Sequence, residues 1–337
     1  MTLHLHALGH FHPENRISND FLESLDIGTT DAWIVERVGI RSRRTVLSLD
    51  YLRQTHNRDL RAAFEASTHS NADMGARAAE MALARAGVDK HDIGMVIAGS
   101  SAPDTVSPAE ACNVACALGL EVPAFDVHSA CTSFLAMLWM LAIARPEALP
   151  ELVLAVVCEG VTRTVDYSDR AAAVLWGDAA IAAVVSTRRP GRARVVGTRL
   201  DSSPAGSGKV AIERAGHFRQ EGRTVQTFAI HKTVRSLQGL WNEFQQPERT
   251  FHFVGHQANL RMLETVCHQC EIPPGRHHSN VEWFGNTAAA GAPSVVSMEW
   301  DRWSASDDVA LVGVGAGLTW AGGLLRFGAG DAQCTAC

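Results

Sequence analysis

No run of apolar residues is long enough to span a bilayer. The longest suspect stretch, FLAMLWMLAIA at 134–144, covers eleven residues. A transmembrane helix needs roughly 20, so this stretch reads as a buried core helix and no membrane association is expected. There is no excess of positive charge either. The net charge is −6, which excludes general nucleic-acid binding because that needs a basic footprint. The opening MTLHLHALGHFHP has no basic segment ahead of a long apolar one, so no secretory leader is expected. The eight cysteines therefore read as reduced thiols of a cytoplasmic protein and not as a disulfide framework.

Complete metal and nucleotide motifs are also missing. Cys267 and Cys270 form a C-x2-C with His277 and His278 nearby, but no second pair supplies the four tetrahedral ligands that structural zinc wants. GSGK at 206–209 is not a phosphate-binding loop, because Ser203 stands where its first glycine should be and Val210 follows the lysine. His4, His6, His10 and His12 alternate along a first strand and read as one of its faces. No metal or redox cofactor is expected, and no short-period repeat is visible.

What is present is an alternation of short, continuously apolar strands with helices. LVLAVVCEGV (152–161), AAIAAVVS (179–186) and VALVGVGAG (309–317) read as strands buried on both faces. MGARAAEMALARA (74–86), stopped by Gly87, reads as a helix. This pattern implies an α/β architecture with sheets covered on both sides. Residues 187–223 are rich in Gly, Pro, Ser and Arg, and the second half repeats the style of the first. The expected division is 1–186, 187–330 and a tail at 331–337. Residues 46–70 are polar and read as a flap or an added helix.

Cys131 stands where PAFDVHSA, a predicted strand, runs into a predicted helix. A helix N-terminus carries partial positive charge and free N–H groups. Both stabilise a thiolate and can hold an oxyanion. A buried cysteine alone is usually inert core. Here two further residues fall at strand ends or loops, where α/β folds place their chemistry: His256 in GHQANLRM and Asn286 in FGNTAAAG.

The stretches FHPENRISN, DAWIVERVGIRSR, SPAEAC, PAFDVHSACTSF, TRTVDYSDRAAAVLWGDAA, GHQANLRM, FGNTAAAGAP and GVGAGLTW occur in this order. Together they resemble ketoacyl-acyl-carrier-protein synthase III over nearly the whole chain. The resemblance implies the thiolase fold, five layers αβαβα built from two similar halves. It implies Cys131 as nucleophile, with His256 and Asn286 assisting condensation and an oxyanion hole formed by the N–H groups of Cys131 and Gly317. Trp33, Arg37, Arg170 and Asn259 match the family's coenzyme A and pantetheine contacts. Lys232 and Arg261 match its carrier-protein surface. Val106 falls in a region that reaches the acyl pocket across a homodimer.

The implied donor is an acyl-CoA or acyl-carrier thioester, and the implied acceptor a malonyl- or 3-oxoacyl-carrier thioester. The expected reaction is a Claisen condensation between an acyl group on Cys131 and a malonyl-type unit. Three alternatives stand beside it: condensation with a 3-oxoacyl thioester without decarboxylation, acyl transfer to oxygen or nitrogen, and a non-catalytic subunit. Three departures suggest a secondary-metabolism branch such as the dialkylresorcinol type. Residues 46–70 are longer than the family's loop, the segment TVQTFAIH before Lys232 lacks its Gly-Asn pair, and HSACTSF is bulkier and more polar than usual.

Overall fold

The computed structural model describes residues 2–214 and 216–328, so the tail expected at 331–337 lies outside it. The strands are β1 Leu3–Phe11, β2 Asn15–Ser18, β3 Ser42–Thr45, β4 Ile93–Gly99, β5 Ala124–Asp126, β6 Leu152–Glu159, β7 Ala179–Ser186, β8 Ala193–Ser202, β9 Val210–Ile212, β10 Phe218–Gln220, β11 Thr250–Gly255, β12 Asp307–Gly315 and β13 Thr319–Phe327. Nine of them form one hydrogen-bonded series in the order β11-β12-β13-β8-β1-β7-β6-β4-β5. Its two halves meet only where Leu3–Leu5 of β1 pair with Ala193–Val195 of β8. Each half thus has its own sheet, joined at one seam.

Side chains alternate across each strand, and the alternation sorts them into separate cores. On β7, Ala180, Ala182 and Val184 enter one cluster, while Ile181, Ala183 and Val185 enter another. On β12, Val309 and Leu311 face the second cluster, and Ala310, Val312 and Val314 face a third. The second core also takes Phe134, Leu138 and Leu141 of the helix Ser133–Ile143 and Val295 and Val296 of the helix Gly291–Met298. These two helices lie between the sheets. The helix Asn71–Ala86 covers one outer face, and the helices Gly222–Phe244 and Leu260–Gln269 cover the other. The result is the five-layer αβαβα arrangement.

The outer helix Asn71–Ala86 shows how sequence sets this packing. Ser70 and Asp73 form a reciprocal cap at its start, and Gly87 ends it in the left-handed region at φ 62°. Its inner face is small residues. A Cβ on Gly75 would meet the Cys158 sulfur at 2.6 Å, so only glycine lets helix and sheet approach this closely. Residues 46–70 hold two short helices, Leu49–Thr55 and Leu60–Glu65. Asn57, fully buried, ties them to the body by donating to the carbonyls of Arg163 and Val165 at 2.8 and 2.9 Å. Among the described residues no helix is long and apolar enough to cross a membrane.

Candidate active site

The expected strand around 123–130 is short, Ala124–Asp126, and Cys131 lies in the 3-10 turn Ala130–Thr132 that feeds the central helix Ser133–Ile143. Ala130 sits at φ 45°, a conformation an L-residue adopts only when its surroundings hold it there. The polar flanks of HSACTSF supply that hold. Thr132 donates to the Ser129 carbonyl at 2.7 Å, and Ser133 donates to the Ala130 carbonyl at 2.7 Å. The Ser133 oxygen also accepts the Ser129 N–H at 2.9 Å. Thr132 reaches Thr319, at the start of β13, at 3.0 Å. A Cβ on Gly315 would stand 3.0 Å from the Cys131 nitrogen, so the bare glycine lets the end of β12 close on the turn.

One expectation needs correction here. The helix terminus alone argues for a lowered thiol pKa, but burial acts in the opposite direction and dominates. Burial pushes the Cys131 thiol up to about 12, the Glu159 carboxylate adds to the rise, and the Ser101 hydroxyl opposes it. Cys131 keeps a partial opening, yet protein surrounds its sulfur.

His256 follows β11 directly and is 6% exposed. Burial lowers its pKa to about 4, so at neutral pH the ring is uncharged and one nitrogen carries a proton. The next residue, Gln257, is fully buried. It donates to the Gly255 carbonyl at 2.7 Å and accepts the Asn280 and Val281 N–H groups at 3.0 and 3.1 Å. Gln257 thereby fixes the His256 loop against the segment that leads to Asn286.

Asn286 is held at both backbone and side chain. Its N–H donates to the Leu175 carbonyl at 2.8 Å, and its carbonyl accepts the Gly177 N–H at 3.0 Å. The carboxamide oxygen accepts the Ala288 N–H at 3.0 Å. Among the described residues the amide NH2 of this buried residue has no hydrogen-bond partner.

Cys131, His256 and Asn286 border one cavity of about 450 Å3. Trp33, Arg37, Arg170 and Asn259 border it as well. The guanidinium groups of Arg37 and Arg170 lie 5.4 and 5.0 Å from the Trp33 ring, a distance at which cations are held by the ring face. Arg170 also donates to the Gly28 carbonyl at 2.6 Å. Asn259 caps the helix Leu260–Gln269, its side-chain oxygen accepting the Met262 N–H at 2.8 Å.

The remaining expected residues lie elsewhere. Gly315 and Ala316 border the cavity and Gly317 follows them, at φ 133°. Lys232 sets its ammonium 3.7 Å from the Trp320 ring. Arg261 pairs with Glu264 at 2.8 Å and donates to the Val35 and Glu36 carbonyls at 2.9 and 3.1 Å, which ties it to the last turn of the helix that carries Trp33. Val106, 74% exposed, borders a second cavity of about 520 Å3. Cys267 and Cys270 are free, and among the described residues no group of three His, Cys, Asp or Glu residues is arranged to hold a metal.

Three residues of the site escaped the sequence reading. Glu159 ends β6 fully buried, and burial raises its pKa to about 8. Ser101 donates to it from both backbone and hydroxyl, at 2.8 and 3.0 Å. Trp176, 5% exposed, borders the main cavity and packs edge-on against Phe218 at 4.6 Å, and among the described residues its indole N–H has no hydrogen-bond partner. A charged residue closing an apolar strand, LVLAVVCE, was the available signal for Glu159.

Comparison with known proteins gives a consistent picture. Residues 125–204 match the family model described as 3-oxoacyl-(acyl-carrier-protein) synthase III, and residues 246–327 match the model of its C-terminal part. The β-ketoacyl-(acyl-carrier-protein) synthase III of Syntrophomonas wolfei is 32% identical, with 97% of this chain and 98% of that protein covered. The crystal structure of 3-oxoacyl-(acyl-carrier-protein) synthase III from Aquifex aeolicus VF5 superposes with a TM-score of 0.84 at 26% identity, covering 96% of this chain and 100% of that one. The priming β-ketosynthase of the R1128 polyketide biosynthetic pathway gives 0.81 at 26% identity, with 96% of each chain covered.

Proposed function

Since the chain belongs to the 3-oxoacyl-(acyl-carrier-protein) synthase III family, we propose that its cavity joins an acyl group carried on Cys131 to a malonyl-type thioester. The observation that carries this reading is the convergence on one cavity of a cysteine, a neutral histidine and an asparagine whose NH2 has no partner among the described residues. Simple transfer of an acyl group to oxygen or nitrogen makes no enolate and needs no such donors.

The cycle has two halves. In the first, the Cys131 sulfur attacks the thioester carbonyl of an acyl donor, and the N–H groups of Cys131 and Gly317 stabilise the tetrahedral oxyanion. The donor thiol leaves and the acyl group stays on sulfur. In the second, a malonyl-type thioester enters. His256 and Asn286 donate hydrogen bonds to its thioester oxygen. Its carboxylate departs as carbon dioxide, and the electron pair left behind forms an enolate that those two donors stabilise. The enolate carbon attacks the acyl-Cys131 carbonyl. The carbon–sulfur bond breaks, and a 3-oxoacyl thioester is released.

Trp33, Arg37 and Arg170 offer a ring face and two cations to an incoming adenine nucleotide or phosphate, which fits a coenzyme A-type donor. Arg261 and Lys232 serve as a local basic surface for an acidic carrier protein, which charge complementarity can steer despite the net negative chain. The short edge strand β5, with Phe125 41% exposed, and the exposed Val106 support a homodimer formed along this edge, since native proteins rarely leave such an edge open. Incubating the protein with acyl-CoA and a malonyl-carrier thioester tests the reading. Stoichiometric carbon dioxide and 3-oxoacyl product are expected. Product that forms only when a 3-oxoacyl-carrier thioester replaces the malonyl one, and without carbon dioxide release, would replace it with condensation of a 3-oxoacyl unit.

A further inference from the structure

We propose that Arg43 is a positioning residue for Asn286, its guanidinium pinning the segment from which the Asn286 backbone hangs. The inference rests on Asn286 being a donor of the condensation half, and it names what holds that donor in place.

Arg43 lies on β3 and is 0% exposed. Its hydrogen-bond partners among the described residues are neutral oxygens. Nε and Nη2 donate to the Val174 carbonyl at 3.0 and 2.5 Å, and Nη1 donates to the Asn19 side-chain oxygen at 2.5 Å. Burying a cation among neutral partners is costly, and packing alone would be served by an apolar side chain of similar length. What a planar guanidinium adds is a rigid fork of donors.

The fork lands on the cradle of Asn286. Val174, Leu175 and Trp176 all border the main cavity. The Leu175 carbonyl accepts the Asn286 N–H at 2.8 Å, and the Gly177 N–H donates to the Asn286 carbonyl at 3.0 Å. Arg43 therefore fixes the residue immediately before the one on which Asn286 hangs.

The Arg43 stem meets the same cradle from below. A Cβ on Gly285, next to Asn286, would stand 2.7 Å from Arg43 Cγ, and one on Gly177 would stand 3.4 Å from Arg43 Cβ. The residues beside Arg43 bind the same two segments. The Arg41 N–H donates to the Glu282 carbonyl at 2.7 Å, and the Ser42 hydroxyl donates to the Trp283 carbonyl at 2.7 Å. On the other side, the Arg44 carbonyl accepts the Asp178 N–H at 2.8 Å. Asn19, 2% exposed, holds the guanidinium from behind. Its NH2 donates to Asp31 at 2.7 Å and to the Ile40 carbonyl at 2.9 Å, which leaves its oxygen for Arg43.

A preorganised donor loses its effect when its support shifts. Acylation of Cys131 does not use Asn286, so loss of Arg43 should separate the two halves of the cycle. The test compares Arg43→Met with wild type in single turnovers of each half, beside Asn286→Ala and the double variant. Acylation should stay within a few-fold of wild type. Discharge of the acyl-enzyme by a malonyl-carrier thioester should slow by on the order of 100-fold, as a small misplacement does. In the Asn286→Ala background Arg43→Met should add nothing to the loss, because the two residues act as one unit. A residue that only supports the fold slows both halves, and its effect multiplies that of Asn286→Ala. Either result overturns the proposal. Asn19→Ala leaves both bonds to Val174 in place and decides the matter if Arg43→Met does not fold. It should show the same split with a smaller loss, and equal slowing of both halves overturns the proposal there too.

A second readout needs no reaction. In protein labelled at asparagine, the Asn286 side-chain amide resonance is assigned by its absence in Asn286→Ala. It should shift or broaden in Arg43→Met, and an unmoved resonance overturns the proposal. This arm separates two failures. A wild-type acyl-enzyme that no malonyl thioester discharges would reject the reaction assigned to the cavity, and the resonance would still decide whether Arg43 positions Asn286.

Discussion

The Asn286 carboxamide oxygen accepts the Ala288 backbone N–H at 3.0 Å, so its orientation is set by its own loop, on the wall of the cavity that Cys131 and His256 also border. Because the amide is preorganised, its donor acts on charge that develops in the transition state at little reorganisation cost. Asn286→Ala should leave Cys131 acylation within a few-fold of wild type and slow condensation by about 100- to 1000-fold. Single-turnover rates of the two half-reactions check this. Loss of both halves together would place Asn286 in the fold and not in the chemistry.

His256 is kept neutral by burial, with its pKa down to about 4. Its N–H donor is therefore present across the neutral range, and the condensation rate should show no inflexion from this ring between pH 5 and 8. Ring NMR shifts of labelled histidine should report an uncharged His256 at pH 6, where an ordinary histidine is already largely protonated. A His256 that titrates near 6.5 would contradict this picture.

Glu159 links stability to pH with a definite sign. Its folded pKa, about 8, is raised above the usual 4.5, so the folded state binds the extra proton. The resulting stabilisation is full below about pH 4.5 and is lost as pH rises through 8. Urea midpoints of the wild type should fall between pH 6 and 9, while Glu159→Gln, which has no proton to lose, should be flatter. Equal slopes in the two proteins would show that Glu159 does not hold a raised pKa.

Trp33 carries the Arg37 and Arg170 guanidinium groups at 5.4 and 5.0 Å on the cavity wall, far in role from the reacting sulfur. Trp33→Ala and Arg170→Ala should raise KM for a coenzyme A-borne donor by roughly tenfold, the size expected for lost binding common to ground and transition states, with kcat little changed. Steady-state kinetics with CoA-borne and short pantetheine-borne donors separate the two. An equal effect on both donors would argue against a nucleotide contact.

The architecture and the three central residues were legible because their signals are local. Apolar strand runs, the strand-to-helix junction at Cys131 and the strand end at His256 can each be read from a few neighbouring residues. The position of Asn286 required its motif, since no periodicity marks a loop. What stayed hidden depends on packing between distant segments. Ser101 and Glu159 are 58 residues apart and meet only because β4 and β6 are neighbours. The burial that pushes the thiol pKa up stayed hidden for the same reason. A helix terminus is visible in a sequence, but the burial that outweighs it comes from both halves closing on the turn. Lys232 and Arg261 could be matched by position, but their contacts with Trp320, Glu264 and the backbone of residues 35 and 36 could not be foreseen.

The most direct measurement is the intact mass of the protein after mixing with a panel of acyl-CoA and acyl-carrier thioesters, beside Cys131→Ala. One acyl group should be gained by the wild type and none by the variant, and a malonyl thioester should then remove that mass as a 3-oxoacyl product. An acyl adduct that persists in Cys131→Ala, or one that no malonyl or 3-oxoacyl thioester discharges, would contradict the role assigned to this cavity.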